Sequence, residues 1–211
     1  MQRLIAADEI GQVRSLLIVN ASYLLPMLQT WRIRDPAQGG IYLDLSLHDI
    51  DLGCFLLQQS PARAVAIGQA ISLGDHGIHD HTMYVMEMNG GTLVQVNESF
   101  VSPNLESQVI AVGTKGSIVA SGTLSQKSGG TLASGLASMS TSIPTRSNDI
   151  YADTVGQFSI AMDGKGPPRA SGQDGLFSLL GAEAVGRAAR TGRSAKVRMI
   201  SPHLEVLDGV S

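Results

Sequence analysis

Asp44 and His48 stand four residues apart in the segment GGIYLDLSLHDIDLGCFLL, residues 39–57. On a helix that spacing puts an acid and an imidazole on one face. Such a pair can move a proton: histidine titrates near neutral pH, and a carboxylate can orient its ring and hold its charge. The Gly39-Gly40 turn before them can bring backbone close to a ligand. Spacing alone equally fits an ordinary helical surface pair, worth a few tenths of a kcal/mol. Asp49 and Asp51 fall on other faces, and Asp49 reads as a structural group bonded to nearby backbone.

Other residues invite chemistry less strongly. Trp31 lies beside Arg32 in a long connection over 26–40, and long connections in compact domains are more often functional than idle. Asp75, His76, His79, Asp80 and His81 are of metal-ligand type, but they sit in a loop with no supporting partner and read as loop polarity. Cys54, set among Leu52, Phe55 and Leu56, reads as a buried inert thiol. As the only cysteine it excludes an internal disulfide and a cysteine-based zinc site. Arg187, Arg190 and Arg193 read as the charged last turn of a helix, favourable to its dipole.

The elements that must position these groups follow from periodicity and punctuation. Helices are expected over 2–9, 41–58, 153–162 and 175–190, the last opened by Ser171 and stopped at Gly192. Strands are expected over 13–23, 62–73, 83–88, 92–100, 108–112, 117–120 and 195–200. Asn89-Gly90-Gly91 is a strong hairpin signal, and residues 113–116 form a second turn. The Ser/Gly-rich stretch 121–150 reads as a variable segment, with short strands around Leu124, Leu132 and Leu136. Runs of strands followed by helices predict an α+β fold: a mostly antiparallel open sheet with helices on one face, in a single domain over 1–211. Side chains such as Leu93, Gln95 and Asn97 leave room for a partner subunit on the other face.

The 211 residues are 43% hydrophobic and 16% charged, a globular balance. A net charge of -3 gives no electrostatic case for nucleic acid or an anionic membrane. The N-terminus lacks the apolar run of a signal peptide, and no stretch reaches the roughly 18 apolar residues of a membrane span. A cytoplasmic protein with no nucleic-acid or membrane partner is expected.

Several stretches together resemble the C-terminal domain of the Gfo/Idh/MocA oxidoreductases, the glucose-fructose oxidoreductase and inositol dehydrogenase family. They are IAADEIGQVRS, GGIYLDLSLHDIDL, VGTKGSI and GPPRASGQDGLFSLLGAEAVGRAARTGR, in unbroken order. Within that family YLLPMLQTWRIRDP and GTLSQK are similar to the 1,5-anhydro-D-fructose reductase-like members. The resemblance implies a two-domain enzyme, in which a Rossmann domain binds NAD or NADP and the α+β domain supplies the sugar pocket and the oligomer interface. It assigns Asp44 and His48 to the catalytic positions that work with a lysine of the first domain. It places Trp31 and Arg32 in the sugar pocket. Asn20 stands where that subfamily tends to carry histidine, so it can hydrogen-bond a sugar hydroxyl but cannot transfer a proton.

The chain contains no G-x-G-x-x-G between a strand and a helix, and no Glu-Lys-Pro. The Gly113–Gly116 stretch sits in a hairpin and is no phosphate cradle. The expectation is therefore a chain that lacks its Rossmann domain, cannot bind NAD or NADP alone, and needs a separate nucleotide domain for turnover. The alternatives are a non-enzymatic homo-oligomeric sugar-binding module and an inactive gene fragment.

Overall fold

The computed structural model describes residues 1–35, 40–73, 77–125, 129–136, 139–143 and 149–198. Nine strands build one open sheet: β1 Val13–Ala21, β2 Pro61–Gln69, β3 His81–Met88, β4 Leu93–Ser99, β5 Gln108–Gly113, β6 Gly116–Ser121, β7 Thr131–Leu136, β8 Met139–Ile143 and β9 Ala195–Lys196. Their order is β8-β7-β6-β5-β1-β4-β3-β2-β9. β1 and β4 pair in parallel, and the other pairs are antiparallel.

Alternation decides which side is covered. Leu16 and Ile18 of β1 lie opposite Val94 and Val96 of β4, and all four are buried. Tyr84 and Met86 of β3 and Ala111 and Ile118 of β5 and β6 extend that face. The helices α3 Leu47–Leu57 and α5 Gly172–Thr191 pack on it. The interleaved residues Val65, Ile67, Met83, Val85 and Leu93 point to the other side and are exposed. The sheet is thus an α+β layer with one covered face and one open apolar face.

α5 packs closely because its buried side is Gly181, Ala182, Ala184, Val185, Gly186 and Ala188. A Cβ on Gly181 would lie 3.0 Å from Ile50 Cγ2 of α3. The helix opens on a capping box: Ser171 accepts from the Asp174 amide, and the Asp174 carboxylate accepts from the Ser171 amide. It ends at Gly192 in the left-handed conformation, φ 64°.

Several expected boundaries move. The first helix, α1, spans Gln2–Ala6, and Asp8 is already left-handed at φ 58°. The connection over 26–40 holds a 3-10 turn, Pro26–Leu28, and a short helix, α2 Trp31–Arg34. α4 spans Ile150–Met162 and starts ahead of the expected 153, because the Asp149 carboxylate accepts from the Tyr151 and Ala152 amides. The last strand covers Ala195–Lys196, and residues 199–200 of its expected range lie outside the described residues.

The helix expected over 41–58 divides in two. Tyr42–Ser46 is a π-helical turn, and α3 follows it directly. Such turns are rare and recur at functional sites. The widened turn leaves Asp44 and His48 at the cleft described below, while Ser46 and Asp49 are buried at 0% and 2% exposure. Asp49 is a buried structural group, as expected, but its carboxylate is held by the Asn20 side chain rather than by nearby backbone.

Candidate active site

The side chains of α2, the π-turn, α3 and the end of β1 converge on an open cleft of about 780 Å³. Asn20, Arg32, Asp44, His48 and Asp49 all line it, with Phe100, Ile150 and Tyr151 among the apolar residues of its wall. Four of the five residues singled out in the sequence therefore meet in one place. Trp31 stands outside that lining, 47% exposed, with the Arg32 guanidinium 4.7 Å from its ring centroid.

Arg32 Nε donates to Asp44 Oδ2 at 3.0 Å, and both side chains are mostly buried. Asp44 is thus engaged by the cation across the cleft, and among the described contacts none ties it to His48. The site offers a guanidinium, a carboxylate and an imidazole around one concavity. That set can hold several hydroxyl groups and exchange a proton with one of them.

Beneath the cleft lies a polar cluster absent from the sequence reading. Asn20 and Glu98 are register partners on β1 and β4. Asn20 Nδ2 donates to Asp49 Oδ1 at 2.9 Å. Glu98 accepts from Ser46 Oγ at 2.5 Å and from the Tyr84 hydroxyl at 3.0 Å. Asp49 and Glu98 are buried side by side, and desolvation raises both carboxyls, Asp49 to about 6. Two carboxylates this close in the interior cannot both stay charged, so the pair holds a proton. Glu98 was legible in principle, since it continues the inward series Val94, Val96 along β4.

The remaining candidates take ordinary roles. His79 Nδ1 meets the Tyr42 hydroxyl at 2.5 Å, and burial lowers its pKa. Asp80 accepts from the backbone amides of Ile71, Ser72 and Leu73. Asp75 and His76 lie outside the described residues. Burial pushes the Cys54 thiol up to about 12, so it is protonated and inert at neutral pH. Arg187 holds Glu183 and the Lys196 carbonyl, tying α5 to β9.

Comparison with known proteins assigns the fold and the cleft to one family. The model of the GFO/IDH/MocA C-terminal domain matches residues 1–119, which include every residue of the cleft and the carboxyl cluster named above except Ile150 and Tyr151. The chain belongs to the Gfo/Idh/MocA family. It is 34% identical over 198 residues to 1,5-anhydro-D-fructose reductase of Ensifer adhaerens, covering 93% of this chain and 60% of the relative. It is 26% identical over 165 residues to inositol 2-dehydrogenase of Rhizobium meliloti, covering 75% of this chain and 50% of that enzyme. The aldose-aldose oxidoreductase of Caulobacter crescentus, solved with glycerol, superposes with a TM-score of 0.79 at 19% identity, over 92% of this chain and 58% of that one. The chain thus spans at most 60% of these three relatives. No helix among the described residues is long and apolar enough to cross a membrane.

Proposed function

We propose that this chain is the substrate-binding and acid–base half of an NAD- or NADP-dependent sugar or polyol oxidoreductase, acting on a substrate of the 1,5-anhydrofructose or inositol type. The observation that carries this reading is the convergence of Asn20, Arg32, Asp44 and His48 on one cleft. His48 is the general acid when a carbonyl is reduced and the general base when a carbinol is oxidised. Asp44, held by Arg32, accepts from a neighbouring hydroxyl. Arg32 donates to substrate oxygens, and Trp31 braces the guanidinium at the rim.

The sequence carries no G-x-G-x-x-G, and among the described residues no glycine-rich turn joins a strand to a helix. The hydride is therefore assigned to a nicotinamide bound by a separate Rossmann domain. Two apolar surfaces suit two partners. Tyr151, Val155, Phe158 and Met162 form one exposed stripe on α4, a helix with no buried residue. Since Ile150 and Tyr151 also line the cleft, a nucleotide domain seated there would close over the substrate. The open sheet face, with Ile67, Met83 and Val85, suits a second copy of the chain.

In a protein that joins this domain to its nucleotide domain, His48→Ala should lower kcat by about 10²–10⁴ and leave substrate binding nearly intact. A near-normal kcat would remove the role given to His48. The competing reading is a non-enzymatic sugar-binding module. Turnover of NADPH and sugar by the chain joined to a nucleotide domain separates the two: the module gains none.

A further inference from the structure

Asn20 has two arms, and the cleft can meet only one of them. The amide's Nδ2 is committed inward, to Asp49 Oδ1 at 2.9 Å. Asp49 is 2% exposed, and its second oxygen, Oδ2, is buried with no donor among the described contacts. An ionised carboxylate accepts only, so it must face the NH2 of Asn20 and not its carbonyl. Glu98, opposite Asn20 on the adjacent strand, sits against the same carboxyl and is fixed by Ser46 and Tyr84. A proton held on Glu98 turns that group into a donor and gives the orphaned Asp49 oxygen its partner.

We infer that Asp49 and Glu98 are positioning residues: a buried carboxyl pair that shares one proton and locks the Asn20 amide with its Oδ1 toward the cleft, so that Asn20 selects a ligand hydroxyl as an acceptor. The ligand class rests on the sugar reading above, but the lock does not. The groups around Asp49 are Tyr84 and Glu98 from the sheet, and Arg32, Asp44, His48 and Asp51 around the cleft. Of these, Glu98 is the buried acid whose carboxyl the Asp49 charge raises further. Histidine at this position could also take up a second proton and donate into the cleft while bonded to the same carboxylate, which an amide cannot do.

The free chain, labelled with ¹³C and ¹⁵N, tests the lock by NMR. The Asp49 carboxyl carbon and the Asn20 side-chain amide should titrate with one midpoint near the Asp49 value, and the Asn20 step should vanish in a folded Asp49→Asn variant. An Asn20 amide that stays still while Asp49 titrates in the wild-type chain overturns the lock, and that measurement needs no variant to fold. A second arm uses 1,5-anhydro-D-fructose and its monodeoxyfluoro analogues, in which one hydroxyl becomes an acceptor. Wild type should bind the parent roughly tenfold tighter than the analogue that turns fluorine to Asn20. In Asp49→Asn the ratio should fall to about threefold or less, because an amide at 49 satisfies Asn20 in either orientation. An unchanged ratio overturns the acceptor assignment. A coupled Asn20 step with no sugar bound upholds the lock and defeats the sugar reading alone.

Discussion

Replacing Asp49 by asparagine should flatten the dependence of stability on pH. Asp49 has a folded value of about 6 against 3.8 for an ordinary aspartate, chiefly because it is desolvated. Between those two values the native chain keeps a proton that the unfolded chain has released. Stability therefore falls as pH rises through that window and is lowest above the folded value. The span is about 2 pH, and each step of one is about 1.4 kcal/mol, so roughly 3 kcal/mol is at stake. Glu98 is raised in the same direction, and loss of the neighbouring charge relieves it as well. The variant keeps an acceptor for Asn20 Nδ2 and gains a donor toward Glu98. Urea unfolding of both chains from about pH 4 to about pH 8 measures the difference curve. The variant should sit near parity at the acid end and ahead by roughly 3 kcal/mol at the alkaline end. Parallel curves would refute the buried-pair account, because they would mean that Asp49 titrates alike in the native and unfolded chain.

Gly181→Leu should destabilise by about 1–3 kcal/mol in thermal or urea unfolding, since its Cβ would meet Ile50 at 3.0–3.1 Å and Pro61 at 3.4 Å. Gly156→Ala in α4, where nothing lies within 4 Å of the added carbon, should instead gain up to about 1 kcal/mol from helix propensity. If the open sheet face pairs two copies as proposed, Val85→Lys there should leave the fold intact and shift sedimentation toward the monomer; an unchanged sedimentation would remove that face as the interface.

What the residues disclosed and what they hid have separate physical causes. The open antiparallel sheet was legible because its turns are chemically explicit: Asn89-Gly90-Gly91 closes β3 on β4, with Gly91 left-handed at φ 81°. The ends of α5 were legible for the same reason, in Ser171 and Gly192. Two other helix ends were not. Asp8 takes a left-handed conformation that its sequence does not demand, and Asp149 caps α4 ahead of the run of apolar residues.

The cleft shows the same division. Asp44 and His48 could be paired because they are near in sequence, and a period of 3.6 was a fair guide to both. The period could not show the π-turn at Tyr42–Ser46, which holds Asp44 and shifts the phase between it and His48 in α3. Arg32 could be suspected, yet its bond to Asp44 spans a connection whose path no local rule supplies. Glu98 is the more instructive case. Its inward position is plain from the alternation of β4, and a carboxyl on an apolar strand face demands a partner. Its hydrogen-bond partners are Ser46 and Tyr84, but its buried neighbour Asp49 is another acid, a juxtaposition that charge complementarity argues against and that a shared proton makes tolerable. Above this pair the amide of Asn20 faces the cleft beside Asp49. A histidine there would meet the Asp49 carboxylate as a cation or a donor and would relieve the pair of its proton. An amide leaves the proton inside and turns an acceptor outward.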